Sequence, residues 1–148
     1  MTPSPVTRAM IVAEARAWIG TPYRHQASLK GVGCDCLGLA RGVWRTLYGA
    51  EPERAPPYAP DWAEAARGEP LAEAAARHLI AIAPETSVAG DVVLFRWRAG
   101  LAAKHFAIAT ARDRIVHAHE GAAVIEVALA SWWRRRIAYA FRFPNVVD

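Results

Sequence analysis

Gly33-Cys34-Asp35-Cys36-Leu37-Gly38-Leu39 is the stretch on which the reading of this chain turns. Asp35 is a good helix N-cap. Behind it Leu37, Ala40, Val43, Trp44 and Leu47 recur at spacings of three and four until Gly49 stops the pattern. Cys36 therefore opens a helix. A thiol is a useful nucleophile only as thiolate, and the free amides and positive dipole end of a helix start favour that form. The same amides can receive an oxyanion. Further on, His105 begins the apolar stretch Lys104-His105-Phe106-Ala107-Ile108-Ala109, and His117-Ala118-His119 closes the next one. A cysteine on a helix start, a histidine on a strand and a polar residue on the following strand form the layout of a Cys-His nucleophile with an orienting partner. Period two puts His117 and His119 on one face, so spacing alone leaves both open for the third position.

Composition sets the frame. The 148 residues are 53% hydrophobic and 22% charged, the profile of a globular chain able to bury a core within one domain, residues 1–148. No apolar run approaches the roughly 20 residues that span a bilayer, so membrane insertion is not expected. Glu14 and Arg16 interrupt the early apolar pattern, which argues for a helix there rather than a signal peptide. Cys34 and Cys36, one residue apart, cannot build a disulfide framework. The net charge of +4 is carried almost wholly by arginine, since Lys30 and Lys104 are the only lysines. Such a charge suits an anionic partner: nucleic acid, a membrane surface or a bacterial cell wall. The only basic run, Arg134-Arg135-Arg136, reads as a solvated turn before a last strand.

Helices come first and strands after. Val6 to Ile19 sets Val6, Met10, Ala13, Ala17 and Trp18 at helical spacing, and Gly20 lies where a glycine ends a helix. Thr21-Pro22-Tyr23 is a turn, and residues 24–34, with Gly31 and Gly33, read as a loop. Pro52, Pro56, Pro57 and Pro60 predict an irregular connector. Asp61 then caps an alanine-rich helix running to about Leu79. Beyond Gly90 five strands are expected: Val92 to Phe95 with Trp97, His105 to Thr110, Ile115 to His119, Val124 to Val127 and Ile137 to Phe143. The short connections Ala111-Arg112-Asp113 and Glu120-Gly121-Ala122 imply antiparallel neighbours. The expected class is α+β, N-terminal helices packed on a small antiparallel sheet of about five strands.

Other readings of the same residues stand beside the nucleophile. A cysteine is commonly a small buried hydrophobe, and a histidine followed by Phe106 and Ile108 is commonly a satisfied core residue. Cys34, Cys36, His105, His117 and His119 are also all zinc-ligand types. Their C-x-C and H-x-H spacings match no structural-zinc pattern, so neither a metal nor another cofactor is expected. His25, in the loop before the cysteine, is placed to line a pocket. His78 reads as a cation at a helix C-terminus.

Taken in order, Gly20-Thr21-Pro22-Tyr23, Asp35-Cys36-Leu37-Gly38-Leu39, Gly90-Asp91-Val92-Val93-Leu94-Phe95, His105-Phe106-Ala107-Ile108 and Val116-His117-Ala118 resemble the motifs of the NlpC/P60 cell-wall peptidases. The likeness spans roughly residues 8 to 143. It is greatest to the compact single-domain branch encoded by phages and phage-like gene transfer agents. The resemblance implies a papain-like fold and an endopeptidase of the peptidoglycan stem peptide, typically cutting D-γ-glutamyl-diaminopimelate. Position by position, Cys36 matches the nucleophile, His105 the general base and His117 the orienting third residue. Tyr23 matches the tyrosine whose hydroxyl helps hold oxyanion or substrate, and the Gly90-Asp91 pair a structural turn. Asp35, Leu37, His25 and His119 fall around these as substrate or oxyanion contacts.

The chain departs from the pattern in two places. Leu37 stands where the family most often has Ser, and Arg24-His25-Gln26 replaces an aromatic and glycines. The partners implied are a bacterial peptidoglycan peptide and phage-like tail or baseplate proteins, not nucleic acid. The implied location is a virion or phage-like particle, at its tail tip, acting in the periplasm or cell wall. A catalytically silent tail or assembly protein with this fold, and a thiol-dependent acyltransferase or amidase, are the alternatives.

Overall fold

The computed structural model describes residues 5–53 and 68–148; the expected cap Asp61 and most of the proline-rich connector lie outside them. Helix α1 (Arg8–Ala17) begins where the Thr7 hydroxyl accepts from the Met10 amide at 3.1 Å. Its inward stripe is Ile11, Ala15 and Trp18, whereas the expected Met10, Ala13 and Ala17 are exposed. Two apolar stripes one residue apart fit the same period, and a tertiary contact chooses between them. A Cβ on Gly42 would come within 1.9 Å of the Trp18 ring, so α1 can lie against the next helix only because position 42 carries no side chain. Val6 is not helical but pairs with Val146 near the other end of the chain.

Helix α2 (Cys36–Tyr48) has the expected cap at Asp35 and the expected terminator at Gly49, whose φ is 90°. Residues 24–34 are more ordered than the loop expected. They hold a hairpin of two-residue strands, β1 (Ser28–Leu29) and β2 (Gly33–Cys34), too short to show alternation in sequence. The alanine-rich helix expected from Asp61 to about Leu79 does not run unbroken: Gly68, at a φ of 79°, and the non-helical cap residue Glu69 precede a helix that starts afresh as α3 (Pro70–His78), with proline in its first turn, where a missing amide costs nothing.

Among the described residues six strands, not five, form the main sheet: β3 (Ile80–Ile82), β4 (Val92–Phe95), β5 (His105–Ala111), β6 (Arg114–Ala118), β7 (Val124–Ala128) and β8 (Ile137–Arg142). Their order is β3-β8-β4-β5-β6-β7, antiparallel throughout. The extra one, β3, is a largely exposed three-residue edge strand. Alternation divides the sheet into two faces. Val92, Leu94, Phe106, Ile108 and Val116 pack with Ile11, Leu39 and Val43 of the helices. Val93, Phe95, Ala107 and Ile115 meet Leu129 and Trp133 on the other side.

Trp133 belongs to a short helix, α4 (Ser131–Arg134), where only a turn was expected. Arg134 and Arg135 are exposed, but Arg136 is not a solvated side chain. It donates to the Trp132 carbonyl at 2.8 Å and the Trp97 carbonyl at 3.3 Å, with its guanidinium 3.9 Å from the Trp132 ring centroid. Among the described residues no helix is long and apolar enough to cross a membrane.

Candidate active site

Cys36 is held at the first turn of α2 by its neighbours. One Asp35 carboxylate oxygen accepts from the Gly38 amide and the other from the Gln26 amide, both at 2.7 Å, tying the preceding loop to the helix start. That loop packs so closely that a Cβ on Gly38 would lie 1.8 Å from the Ala27 carbonyl oxygen. The Cys36 sulfur faces β5, with its S–H donating to the Lys104 carbonyl at 3.6 Å. Cys34 points into the core among the helices and is fully buried, away from this cleft.

The β5–β6 register pairs Ala107 with His117, so His105 and His117 are diagonal neighbours on one face of the sheet. Their rings meet edge to face, with His105 Nε2 2.9 Å from His117 Nδ1. His119, two residues on, keeps the same side but is exposed beyond the strand end; its ring lies 5.8 Å from that of His117. His117, not His119, therefore contacts His105.

A cleft of about 220 Å³ brings Cys36, His105 and His117 together with Tyr23, Asp35, Leu37, His25 and His119. Tyr23 reaches it because its segment is stitched on both sides: its amide donates to Ala122 and its backbone bridges Cys34. His25 lies at the rim, Nδ1 3.8 Å from Asp35. The far wall was not foreseen. Trp97 and Trp133 lie against the His105 ring at 5.0 and 6.0 Å between centroids, and half-exposed Trp132 extends that wall outward. The one signal in the sequence was the Trp132-Trp133 doublet itself.

The sequence matches none of the known protein-family profiles and none of the curated proteins. Solved structures do match. The NlpC/p60 domain of the peptidoglycan hydrolase SagA covers 93% of the chain over its own full length, with 24% identity and a TM-score of 0.64. An NlpC/P60 family protein from Bacillus cereus ATCC 10987 covers 95% with 17% identity and a TM-score of 0.68. NlpC2 from Trichomonas vaginalis covers 95% with 15% identity and 0.67. The chain has the NlpC/P60 fold. It spans only 41% of the B. cereus chain and 48% of the T. vaginalis one.

Within this NlpC/P60 fold, burial sets the protonation of the cleft. It pushes the Cys36 thiol up to about 12, with the Asp35 carboxylate adding to the rise, while amides of Phe106, Leu37 and Cys36 pull the other way. Burial drives His105 down to about 3, helped by His117, His119 and Lys104. It drives His117 down to about 4, helped by His119. Burial, then Cys36 and Asp35, raises the Tyr23 hydroxyl, which stays a donor. Burial thus favours the neutral thiol and neutral imidazoles, against the pull of the helix start toward thiolate. The helix amides do act on the sulfur, but desolvation outweighs them.

These shifts fix how stability depends on pH. Between about pH 6.5 and 4 the unfolded chain binds protons on His105 and His117 that the native protein refuses, so stability falls as pH falls. The combined loss by pH 4 should be on the order of several kcal/mol. Above pH 9 the sign reverses, because unfolded thiols ionise while Cys34 and Cys36 hold their protons to about 12. Denaturant midpoints should therefore peak near pH 7–9. The slope between pH 5 and 6.5, above the carboxylate range, should vanish in a His105→Gln, His117→Gln double variant. A wild-type midpoint that is flat over that interval would contradict the buried neutral pair.

Proposed function

We propose that the protein is a cysteine endopeptidase of the NlpC/P60 family that hydrolyses peptidoglycan stem peptides, at D-γ-glutamyl-diaminopimelate bonds. The observation that carries this reading is a cysteine at a helix start sharing one cleft with a hydrogen-bonded histidine pair. Because His105 Nε2 is engaged by His117, Nδ1 is the nitrogen left to take a proton. Nε2 must then carry hydrogen and donate to His117 Nδ1, which leaves the His117 proton on its own Nε2. That atom is buried and has no partner among the described residues.

Attack proceeds from the neutral pair. The Cys36 proton passes to His105 as the Cys36–carbonyl bond forms. The oxyanion is received by the amides at the start of α2 and by the Tyr23 hydroxyl. His105 then protonates the leaving amine, and water, deprotonated by the same ring, cleaves the thioester. No step calls on a metal. The test is mass spectrometry of muropeptides incubated with the pure protein: fragments cut at one peptide bond are expected, and an unchanged digest overturns the reading in favour of a silent assembly protein.

His117 holds the tautomer of the base and strengthens its hydrogen bond once His105 is charged. His117→Ala should lower kcat by roughly 10- to 10³-fold. His119→Ala, at the rim, should act mainly on KM. A near-wild-type kcat for His117→Ala with a large loss for His119→Ala would reverse the assignment. The carrier we propose is a phage-like particle that bears the enzyme at its tail tip and delivers it to the cell wall. What supports this is the likeness of the five motifs to the compact phage-encoded branch. Immunoblots should find the protein in purified particles, and its confinement to the soluble cell fraction would refute that location.

A further inference from the structure

Arg96, Arg98, Arg135 and Arg136 converge on a cavity of about 340 Å³ that shares the Trp97 wall with the nucleophile cleft. They come from two separate segments, the β4–β5 connection and the turn after α4, so it is tertiary folding that gathers them. Among the described residues only one carboxylate answers them. Arg96 is paired with Glu69, which also accepts from the Ala103 amide. Arg136 is anchored on two carbonyls and the Trp132 ring, contacts that fix its position without cancelling its charge. Arg98 and Arg135 are exposed, and neither has a side-chain hydrogen bond or ion pair among the described residues.

With Arg96 neutralised by Glu69, the charges of Arg98, Arg135 and Arg136 remain to favour an anion in the cavity. The planar fork of arginine matches a carboxylate through two parallel hydrogen bonds, and a fixed Arg136 lowers the ordering cost of binding. Trp97 lines both the nucleophile cleft and this cavity, so the two are neighbours, and a stem peptide containing diaminopimelate is rich in free carboxylates that a neighbouring cationic cavity suits.

We infer that the cavity lined by Arg98, Arg135 and Arg136 is an anion subsite that receives a carboxylate of the peptide whose scissile bond sits at Cys36. The inference rests on the proposed peptidase function and adds to it the feature that selects acidic over amidated stems. The probes are a fluorescent stem tetrapeptide with free carboxylates and its fully amidated twin, titrated by anisotropy against Cys36→Ala protein so that nothing is cleaved. An Arg98→Gln, Arg135→Gln variant of that protein should bind the free acid about 10- to 30-fold more weakly and the amide within twofold of before. Added salt should weaken the free acid's binding less in the variant than in its parent. Equal binding of acid and amide, or no change in the variant, overturns the subsite. Muropeptide cleavage by the wild type is read separately. Discrimination without cleavage keeps the subsite and removes the peptidase reading, while cleavage without discrimination does the reverse.

Discussion

Cys36→Ala should abolish cleavage of muropeptides, a loss on the order of 10⁴–10⁶ in kcat, because no other group in the cleft is placed to form the thioester. Cys34→Ser is the companion variant. Its side chain is fully buried and its backbone is bonded to Pro22 and Arg24, so a hydroxyl there should cost about 1–3 kcal/mol of stability and leave kcat near wild type. Iodoacetamide should separate the two thiols by access rather than by acidity. Cys36 lines the cleft and should label first, at a rate still climbing with pH beyond 9, because burial holds its proton to about 12. Cys34 should label only as the protein unfolds. Fast labelling of Cys36 that is flat from pH 6 to 8 would mean a preformed thiolate. Cleavage that survives Cys36→Ala would remove the mechanism altogether.

The largest effect on stability is expected at Asp91. Its carboxylate is completely buried and accepts from the Arg8 guanidinium at 3.0 Å, from two Arg142 nitrogens at 3.1 Å and from the Val88 amide at 3.0 Å. Asp91→Ala leaves two guanidiniums and an amide facing a void. Removing one partner of a buried charge pair costs about 3–5 kcal/mol. Arg8 and Arg142 keep some exposure and can rehydrate in part, which puts the expectation near the lower end. At this chain length about 3 kcal/mol corresponds to a fall in Tm of roughly 6–12 °C. Arg8 also joins the two ends of the described chain, its amide and side chain both donating to Asp148. The loss should therefore show as a lower midpoint with muropeptide kcat preserved below it. A Tm within 2 °C of wild type would show that the cluster is not holding β4 to α1 and β8.

Where several local signals agreed, the sequence could be read to the residue. For α2, cap, period and terminator all point to Asp35, Cys36 and Gly49, and the helix has those bounds. Short turns made β5, β6 and β7 legible as antiparallel neighbours, and period two put His117 and His119 on one side. The departures share a cause. The buried stripe of α1 is decided by Gly42, which lies far along the chain, and β3 is an edge strand too short to alternate. The protonation of Cys36 was out of reach for the same reason. A helix start is local, but the walls of the cleft around it come from strands and tryptophans beyond residue 90.

A thiol that keeps its proton until substrate arrives is also a slow target for peroxide, which attacks the thiolate to make sulfenic acid. Cys36 has no resolving thiol in its cleft to rescue it once oxidised, since Cys34 is sealed in the core. With no second thiol within reach to reduce it, its protection against oxidation lies in the retained proton rather than in repair. The burial that holds the proton on Cys36 therefore also slows its oxidation, and loss of the thiol to peroxide should follow unfolding of the cleft rather than precede it.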